Sequence, residues 1–284
     1  MTIQWFPGHM AKARREVAEK LKLVDIVLEI VDARLPMSSR NPMLDQLIQQ
    51  KPRLVLLNKA DLADPIQTDN WQKYFENKGY ACLKINANQG KGIKAISTKS
   101  KEMLAEKIER QKARGMRPRP IRAMCIGIPN VGKSTLLNRL ANKNMAKTGN
   151  MPGVTKGQQW LKSSKDFELL DTPGILWPKF EDEQIGKKLA LTGAIKDTLL
   201  NMDDLALFGL DFFKEHYPSQ LQDRYQLSDE EILLSAVDIL LLITKKRGFK
   251  DDYERGSQMI VQEIRDGRLG RYTLDLVSDF QEGK

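Results

Sequence analysis

Short apolar runs alternate with longer amphipathic stretches along the first half of the chain. The apolar runs are rich in β-branched residues, which is typical of buried parallel strands, and the amphipathic stretches have helical spacing. The predicted strands cover residues 24–31, 53–57, 81–85, 121–128, 159–162 and 167–170. The predicted helices among them cover residues 9–22, 42–50, 66–78, 93–114 and 133–140. This alternation predicts an α/β fold with a doubly wound, mostly parallel sheet.

The pattern changes after residue 174, where the strand signal stops. Helical periodicity alone continues over residues 185–195, 205–216, 228–244 and 253–266. Residues 142–158, in contrast, are rich in Gly, Asn, Lys and Thr and have no periodicity, which is typical of a loop. We therefore expect an α/β domain over residues 1–180 and a smaller all-helical domain over residues 181–284.

Composition is that of an ordinary globular protein. The chain has 284 residues, of which 41% are hydrophobic and 29% are charged, and its formal net charge is +9. The longest apolar run, residues 239–243, is far shorter than the roughly 18 residues that a membrane-spanning helix needs. Because the first residues resemble no secretion or import signal, we expect a cytoplasmic protein without membrane contact. Cys82 and Cys125 lie in strand-like runs and are expected to be buried thiols.

Residues 127–134 match the phosphate-loop pattern G-x-x-x-x-G-K-S between a predicted strand and a predicted helix. The glycines let backbone N–H groups face phosphates at the N-terminus of the helix. In this pattern Lys133 reaches the β- and γ-phosphates, and the Ser134 hydroxyl is a ligand of Mg²⁺. The residues predicted to bind nucleotide here are Asn130, Val131, Gly132, Lys133, Ser134 and Thr135.

The candidate for base recognition is the N-K-x-D sequence at residues 58–61, at the end of a predicted strand. Its carboxylate only accepts hydrogen bonds, so it suits the N1–H and N2–H₂ edge of guanine and is repelled by the N1 acceptor of adenine. The next predicted strand ends in N-A-N, similar to the S-A-x element whose backbone amide meets guanine O6. The predicted guanine-binding residues are Asn58, Lys59, Asp61, Asn86 and Ala87.

Residues 171–174 match D-x-x-G at the end of a further predicted strand. In this motif Asp171 would hold Mg²⁺ through water, and the Gly174 amide would meet the γ-phosphate. In the preceding loop Thr155 is the first choice for the threonine that binds Mg²⁺, and Thr148 is the second. The predicted Mg²⁺ ligands are therefore Ser134, Thr155 and Asp171.

The order of these motifs is unusual, because N-K-x-D and N-A-N precede the phosphate loop while Thr155 and D-x-x-G follow it. Residues 5–10 (WFPGHM), 32–36 (DARLP) and 171–178 (DTPGILWP) accompany this order. Over nearly the whole chain the combination resembles the circularly permuted GTPases of ribosome assembly. The resemblance implies that the chain binds GTP and GDP with Mg²⁺ and hydrolyses GTP.

The residue after D-x-x-G is Ile175, where many GTPases have a Gln that orients the attacking water. An aliphatic side chain cannot orient water, so we expect slow hydrolysis by the chain alone or the use of another group. The resemblance points to His9 as that group, with Arg34 and Arg40 as weaker candidates for charge stabilisation. The predicted catalytic residues are His9, Lys133, Thr155 and Gly174.

Two further polar residues have separate interpretations. Asn130 resembles the Asn that helps to bind K⁺ in related GTPases with similar phosphate loops. A monovalent cation between the phosphates could supply the charge of an arginine finger, so we expect K⁺ as a cofactor. His216 lies near the end of a predicted helix and is expected to pack there or cap it.

Lys and Arg cluster in two tracts, residues 110–122 and 245–271. Such clusters are typical of nucleic-acid contacts and also of solvated surfaces. The resemblance implies a helical RNA-binding C-terminal domain and, as partner, a late precursor of the large ribosomal subunit with its rRNA and proteins. A monomer would bind this precursor with GTP and leave after ribosome-stimulated hydrolysis. Two other interpretations stay open, a stand-alone GTP-dependent partner in RNA modification and a non-hydrolysing nucleotide sensor.

Overall fold

A six-stranded sheet forms the centre of the first part of the chain in the computed structural model. The structure describes residues 15, 17–41, 45, 47–48, 51–116, 119–141, 159–164, 166–171, 183–195 and 201–280. The strands are β1 (Ile26–Asp32), β2 (Arg53–Asn58), β3 (Ala81–Lys84), β4 (Ile121–Ile126), β5 (Gln159–Ser164) and β6 (Phe167–Asp171). Their order in the sheet is β3-β2-β1-β4-β6-β5.

Parallel pairing dominates this sheet, as predicted. β1 pairs in parallel with both β2 and β4, β2 with β3, and β4 with β6. The edge strand β5 is antiparallel to β6. β2 and β3 lie on one side of β1 in the strand order, and β4, β6 and β5 lie on the other. The direction of the strand order therefore reverses between β1 and β4, which flank this switch point. Open α/β sheets bind their ligands at the carboxyl ends of the strands beside such a point.

Helices cover the sheet and follow the expected capping rules. In the first part of the chain they are α1 (Pro65–Asn77), α2 (Ile93–Met103), α3 (Ala105–Ala113) and α4 (Lys133–Ala141). Asp64 caps α1, because its Oδ1 accepts from the backbone N–H of Ile66 at 2.8 Å and of Gln67 at 3.1 Å. Trp71 and Phe75 of α1 are buried in a cluster with apolar residues of β1 and β2.

A buried ion network joins β1 to β2. Glu29 is 2% exposed, and its carboxylate accepts from Arg40 at 3.0 and 3.1 Å and from Arg53 at 3.2 Å. Both arginines also bond to Asp45, and both guanidinium groups lie over the ring of Tyr80. Burial acts to lower the pKa of Arg40, but the charge and hydrogen bonds of Glu29 and the charge of Asp45 together outweigh it and raise this pKa above its usual value. Arg40 is therefore a charged structural residue of the interior.

The contacts divide the chain into two compact units. One unit is Met1–Lys179 together with Asp275–Lys284, and the other is Phe180–Leu274. The second unit contains α5 (Glu183–Leu191), α6 (Met202–His216), α7 (Pro218–Tyr225), α8 (Ala236–Lys246) and α9 (Tyr253–Arg265). Its buried residues include Ile239 and Ile243 of α8 and Ile260 and Ile264 of α9. The contacts thus group the last residues with the first unit, whereas the sequence prediction assigns them to the helical domain.

One long predicted helix is two helices in the structure. The periodicity predicts a single helix over residues 93–114, but α2 ends at Met103 and α3 begins at Ala105. Leu104 between them has φ −104° and ψ 8°, outside the helical region, and its side chain is buried. α3 itself has no buried residue. The helical backbone is therefore interrupted at a single buried residue, which helical periodicity does not record.

The predicted helix over residues 228–244 is also divided. Ser228 Oγ accepts from the N–H of Glu231 at 3.1 Å and starts a 3₁₀ turn, Glu231–Leu233. Ser235 Oγ accepts from the N–H of Asp238 at 3.1 Å and starts α8. Both sequences, S-D-E-E and S-A-V-D, carry an acid three residues after the serine, which is the local signal for a new helix start. α7 was not predicted.

Two other expectations concern cysteines and membranes. Cys82 and Cys125 are buried, as predicted, and burial raises the pKa of Cys82 to about 12. Among the helices in the described residues, none combines the length and apolarity that crossing a membrane requires. The cytoplasmic location stays a prediction.

Replacing Arg40 by Met should lower the free energy of unfolding by about 3 kcal/mol, because Glu29 would remain buried with one of its arginines lost. Urea-induced unfolding of the whole chain measures this change. Lys84→Met is the matched control, since it removes an exposed ion pair with Asp69 at 2.6 Å and should cost less than about 1 kcal/mol. Equal losses for the two variants would contradict a structural role for the buried network.

Candidate nucleotide site

The phosphate loop joins the end of β4 to the start of α4. Lys133 is the first residue of α4 and is 7% exposed. Its Nζ donates to the carbonyl oxygens of Gly127 at 3.1 Å and Ile128 at 3.0 Å. Ser134 and Thr135 follow in the first helical turn and are half-buried. A helix N-terminus with a buried ammonium group beside it favours an anion, so this arrangement suits the phosphates of a nucleotide.

Asn58 connects three segments that are distant in sequence. Its Nδ2 donates to the carbonyl oxygen of Val131 in the phosphate loop at 2.7 Å. Its Oδ1 accepts from the backbone N–H of Ala87, beyond β3, at 3.0 Å. We call this pair of bonds the Asn58 clip. The structure therefore brings three of the predicted nucleotide-binding residues together at one edge of the sheet.

Lys59 adopts a left-handed backbone, with φ of +59°, and its ammonium lies 3.0 Å from the Asp32 carboxylate. The same carboxylate accepts from Arg34 through its backbone N–H, Nε and Nη2, at 3.0, 3.0 and 2.8 Å. Burial acts to raise the pKa of Asp32, but the charges of Arg34 and Lys59 outweigh it and hold this pKa far below its usual range. Asp32 is therefore an anion that fixes Lys59.

The remaining predicted guanine residues lie beside this pair. Asp61 follows Lys59 by two residues, is half-buried and accepts no hydrogen bond from the described part of the chain. Asn86 is 4% exposed, and its Oδ1 accepts from the N–H of Gln89 at 2.9 Å. The Asn86 Nδ2 is buried and has no hydrogen-bond partner within the residues that the structure describes.

Several predicted residues lie outside the described residues. These are His9, Thr148, Thr155, Gly174 and Ile175, and their roles stay predictions. Asp171 is the last residue of β6, and its side chain is not among those described. Since Leu170 of β6 is paired with Met124 of β4, the backbone of Asp171 lies on the sheet edge at which the phosphate loop begins.

The arginines considered for charge stabilisation have structural partners. Arg34 is 1% exposed and holds Asp32, and Arg40 belongs to the Glu29 network. Sequence reasoning did not identify Asp32 as the partner of Lys59. The sequence signal that could have identified Asp32 was an acidic residue at the end of one buried strand, with N-K-x-D at the end of the next strand. His216, as predicted, is the last residue of α6, and its ring packs 4.6 Å from that of Phe212.

Most of the first basic tract is paired with acids. The ion pairs are Arg110–Glu106 at 3.1 Å, Lys112–Glu109 at 2.8 Å, Arg119–Asp25 at 2.7 Å and Arg122–Glu168 at 3.2 Å. In the second tract, Lys245, Lys250 and Arg271 are exposed and form no ion pair with the described residues. Positive charge without an acidic partner is therefore a property of the second tract more than of the first.

Three comparisons relate this architecture to known proteins. Residues 122–258 match the family model described as 50S ribosome-binding GTPase. Ribosome biogenesis GTPase A of Priestia megaterium is 56% identical over 288 residues, which cover 99% of this chain and 99% of that protein. The GDP-bound structure of TM YlqF has a TM-score of 0.68 at 25% identity and covers 93% of this chain and 100% of its own. GNP-bound YlqF from T. maritima has a TM-score of 0.64 at 26% identity, with coverages of 93% and 98%.

Gly132→Ala should weaken GDP binding at least about tenfold, because the new Cβ would lie 2.3 Å from Asn58 Nδ2 and disrupt the Asn58 clip. Equilibrium titration with a fluorescent GDP analogue measures the affinity. Gly79→Ala is the matched control, because Gly79 also has a positive φ, +83°, but a Cβ added there would meet nothing within 4 Å. A similar loss of affinity in both variants would mean that backbone strain, and not the clip, is responsible.

Proposed function

The chain belongs to the ribosome biogenesis GTPase A family, and from this premise we propose that it binds a late precursor of the large ribosomal subunit in its GTP form and leaves after hydrolysis that the subunit stimulates. It is a P-loop GTPase of ribosome assembly and binds guanine nucleotides. The similarity to ribosome biogenesis GTPase A over nearly the whole chain supports the ribosomal part of the proposal. The Asn58 clip supports its nucleotide part, because it joins the phosphate loop to the segments proposed to hold the base.

Base recognition in this proposal belongs to residues 58–61 and 86–87. The Asp61 carboxylate accepts from N1–H and N2–H₂ of guanine, and Lys59 lies along the base while Asp32 holds its ammonium. The side chain of Asn86 faces the O6 side, and the neighbouring Ala87 holds Asn58 through its backbone N–H. The buried Nδ2 of Asn86, which has no partner in the described part of the chain, supports this assignment because O6 is an acceptor.

Hydrolysis is assigned to the phosphate side of the site. Lys133 neutralises charge on the β- and γ-phosphates, and the Gly174 amide senses the γ-phosphate. Ser134, Thr155 and Asp171 form an all-oxygen set of the kind that Mg²⁺ prefers, completed by phosphate oxygens and water. Bound Mg²⁺ would withdraw charge from the leaving phosphates. His9 takes the place of the usual Gln and orients the attacking water.

A monovalent cation adds to this charge stabilisation. Asn130 lies in the phosphate loop with a left-handed backbone, φ +62°, one residue before the Val131 carbonyl that Asn58 binds. K⁺ held near Asn130 would lie between the phosphates and supply positive charge where negative charge develops. Neither candidate arginine is assigned to this charge stabilisation, since Arg34 is bonded to Asp32 and Arg40 is bonded to Glu29.

The helical domain, residues 181–284, is the proposed contact with rRNA. Lys245, Lys250 and Arg271 provide exposed positive charge that is not neutralised within the described residues. Phosphate contacts of this kind recognise RNA shape and charge and weaken steeply as salt rises. The chain acts as a monomer, so one copy provides both the nucleotide site and the RNA contact.

GTP turnover with and without purified large ribosomal subunits tests the proposal. The subunits should raise kcat many-fold in K⁺ and much less in Na⁺, because the proposal assigns K⁺ and not Na⁺ to the site near Asn130. His9→Ala should lower the stimulated kcat by at least about a hundredfold and change GTP affinity little, since water orientation is needed only during the reaction. A chain that turns over equally fast without subunits would contradict the proposed partner. Equal losses of kcat and affinity in His9→Ala would contradict its catalytic role.

Asp61→Asn should exchange base preference from guanine to xanthine. Asn offers one donor and one acceptor, which match the O2 acceptor and the N1–H donor of xanthine, whereas guanine presents two donors to this edge. GTP affinity should fall by about a hundredfold and XTP affinity should rise. Competition binding with GTP, XTP and ATP measures both changes. Unchanged base preference would show that residues 58–61 do not read the base.

A further inference from the structure

The last described residues, 275–280, return to the first unit and pack against α1. We call this segment the C-terminal strap. Trp71 Nε1 donates to the carbonyl oxygen of Asp275 at 2.7 Å, and the rings of Trp71 and Phe280 lie 5.3 Å apart. Val277 is buried in the same cluster as Trp71. The strap is thus anchored by apolar packing and by a hydrogen bond to a buried indole.

The side chain of Asp275 binds the segment that follows β1. It is fully buried, and its Oδ2 accepts from the backbone N–H of Met37 at 2.9 Å and of Ser38 at 2.7 Å. Its Oδ1 accepts from the Ser38 hydroxyl at 2.7 Å. An Asn has the same size but no negative charge, so replacing Asp275 by Asn would remove the charge assistance from the bonds that the two backbone N–H groups donate.

The segment held in this way, residues 33–40, is also bonded to Asp32. Ser39, next to Ser38, accepts through its Oγ from the backbone N–H of Asp32 at 3.0 Å. The N–H of Leu35 donates to the Asp32 carbonyl oxygen at 2.9 Å. The position of Asp32 therefore depends on a loop that is also bonded to Asp275.

Asp32 in turn determines the position of Lys59. The two charges are 3.0 Å apart, and Lys59 keeps its left-handed backbone, φ +59°, which a residue other than glycine adopts only when its surroundings hold it there. A continuous set of buried polar contacts thus runs from Asp275 through Ser38 and Ser39 to Asp32 and Lys59. It ends at the residues proposed to bind the guanine.

We propose that Asp275 is a positioning residue for guanine-nucleotide binding, which acts through residues 33–40 on the Asp32–Lys59 pair and sets the rate of nucleotide release. The inference rests on the proposed assignment of residues 58–61 to the base. In sequence, the strap follows directly after the helical unit, which ends at Leu274. Tension on the chain at that junction would therefore act on nucleotide release.

The rate of GDP release from the full chain tests this inference. Asp275→Asn should speed the release of a fluorescent GDP analogue by roughly three- to tenfold, the range that loss of one ordinary hydrogen bond can produce. Ser38→Ala removes one of the three bonds and should act in the same direction with a smaller effect. This second variant carries the test if Asp275→Asn does not fold, as judged by its melting curve.

A double-mutant cycle separates positioning from general loss of stability. In an Asp32→Asn background, Asp275→Asn should add little, because the path to Lys59 is already broken. The matched control is Glu263→Gln in the helical unit, a buried carboxylate bonded to Arg224 that should lower the melting temperature without changing GDP release.

Three results would overturn the inference. They are unchanged release in both Asp275→Asn and Ser38→Ala, an undiminished effect of Asp275→Asn in the Asp32→Asn background, and equal acceleration by Glu263→Gln. The Asp61→Asn competition experiment distinguishes this failure from failure of the proposed function. If Asp61→Asn changes base preference and Asp275→Asn leaves release unchanged, only the positioning role is wrong.

Discussion

The nucleotide site depends on the parallel register of β1 with its two neighbours. Asp32 at the end of β1 is paired with Asn58 at the end of β2, so Lys59 emerges beside the Asp32 carboxylate. On the other side, Glu29 is paired with Ile126 of β4, which places Gly127 next to Ile30. A Cβ at Gly127 would lie 2.5 Å from the Ile30 carbonyl oxygen, so only glycine allows the phosphate loop to leave the sheet there. One strand thus positions both the base side and the phosphate side.

Buried polar groups then connect the segments that leave this edge. Asn58, Asp32 and Asp275 are each at most 3% exposed. Asn58 donates to the phosphate loop, Asp275 accepts from the loop after β1, and Asp32 forms an ion pair with Lys59 beyond β2. A buried polar group that loses its partner costs about 1–3 kcal/mol, so each of these contacts strongly favours one arrangement of its loop. These connected contacts are the basis for the proposed action of the strap on Lys59.

The fold was largely predictable because its strands and helices have strong local signals. β1 and β2 are buried over their whole length, and such continuous apolar runs are easily recognised. The divided helices were harder to predict, since only one residue, Leu104, departs from helical geometry between α2 and α3, and Ser235 starts α8 through a local cap. The strap was missed because residues 275–280 form only a short 3₁₀ turn, held by contacts with Trp71 and the loop after β1.

The amino-acid sequence by itself determined the chemistry that we propose for the site, because the phosphate loop, N-K-x-D and D-x-x-G are local patterns whose residue types suit phosphate, guanine and Mg²⁺. It also determined the permuted order of these motifs, because the order of motifs can be read directly along the chain. Only the tertiary structure decided which residues hold these motifs in place. Asp32, Arg34 and Asp275 are common polar residues, and their roles arise from burial and from contacts across long sequence separations. No local pattern specifies such contacts, because they form only when the sheet and its loops are assembled.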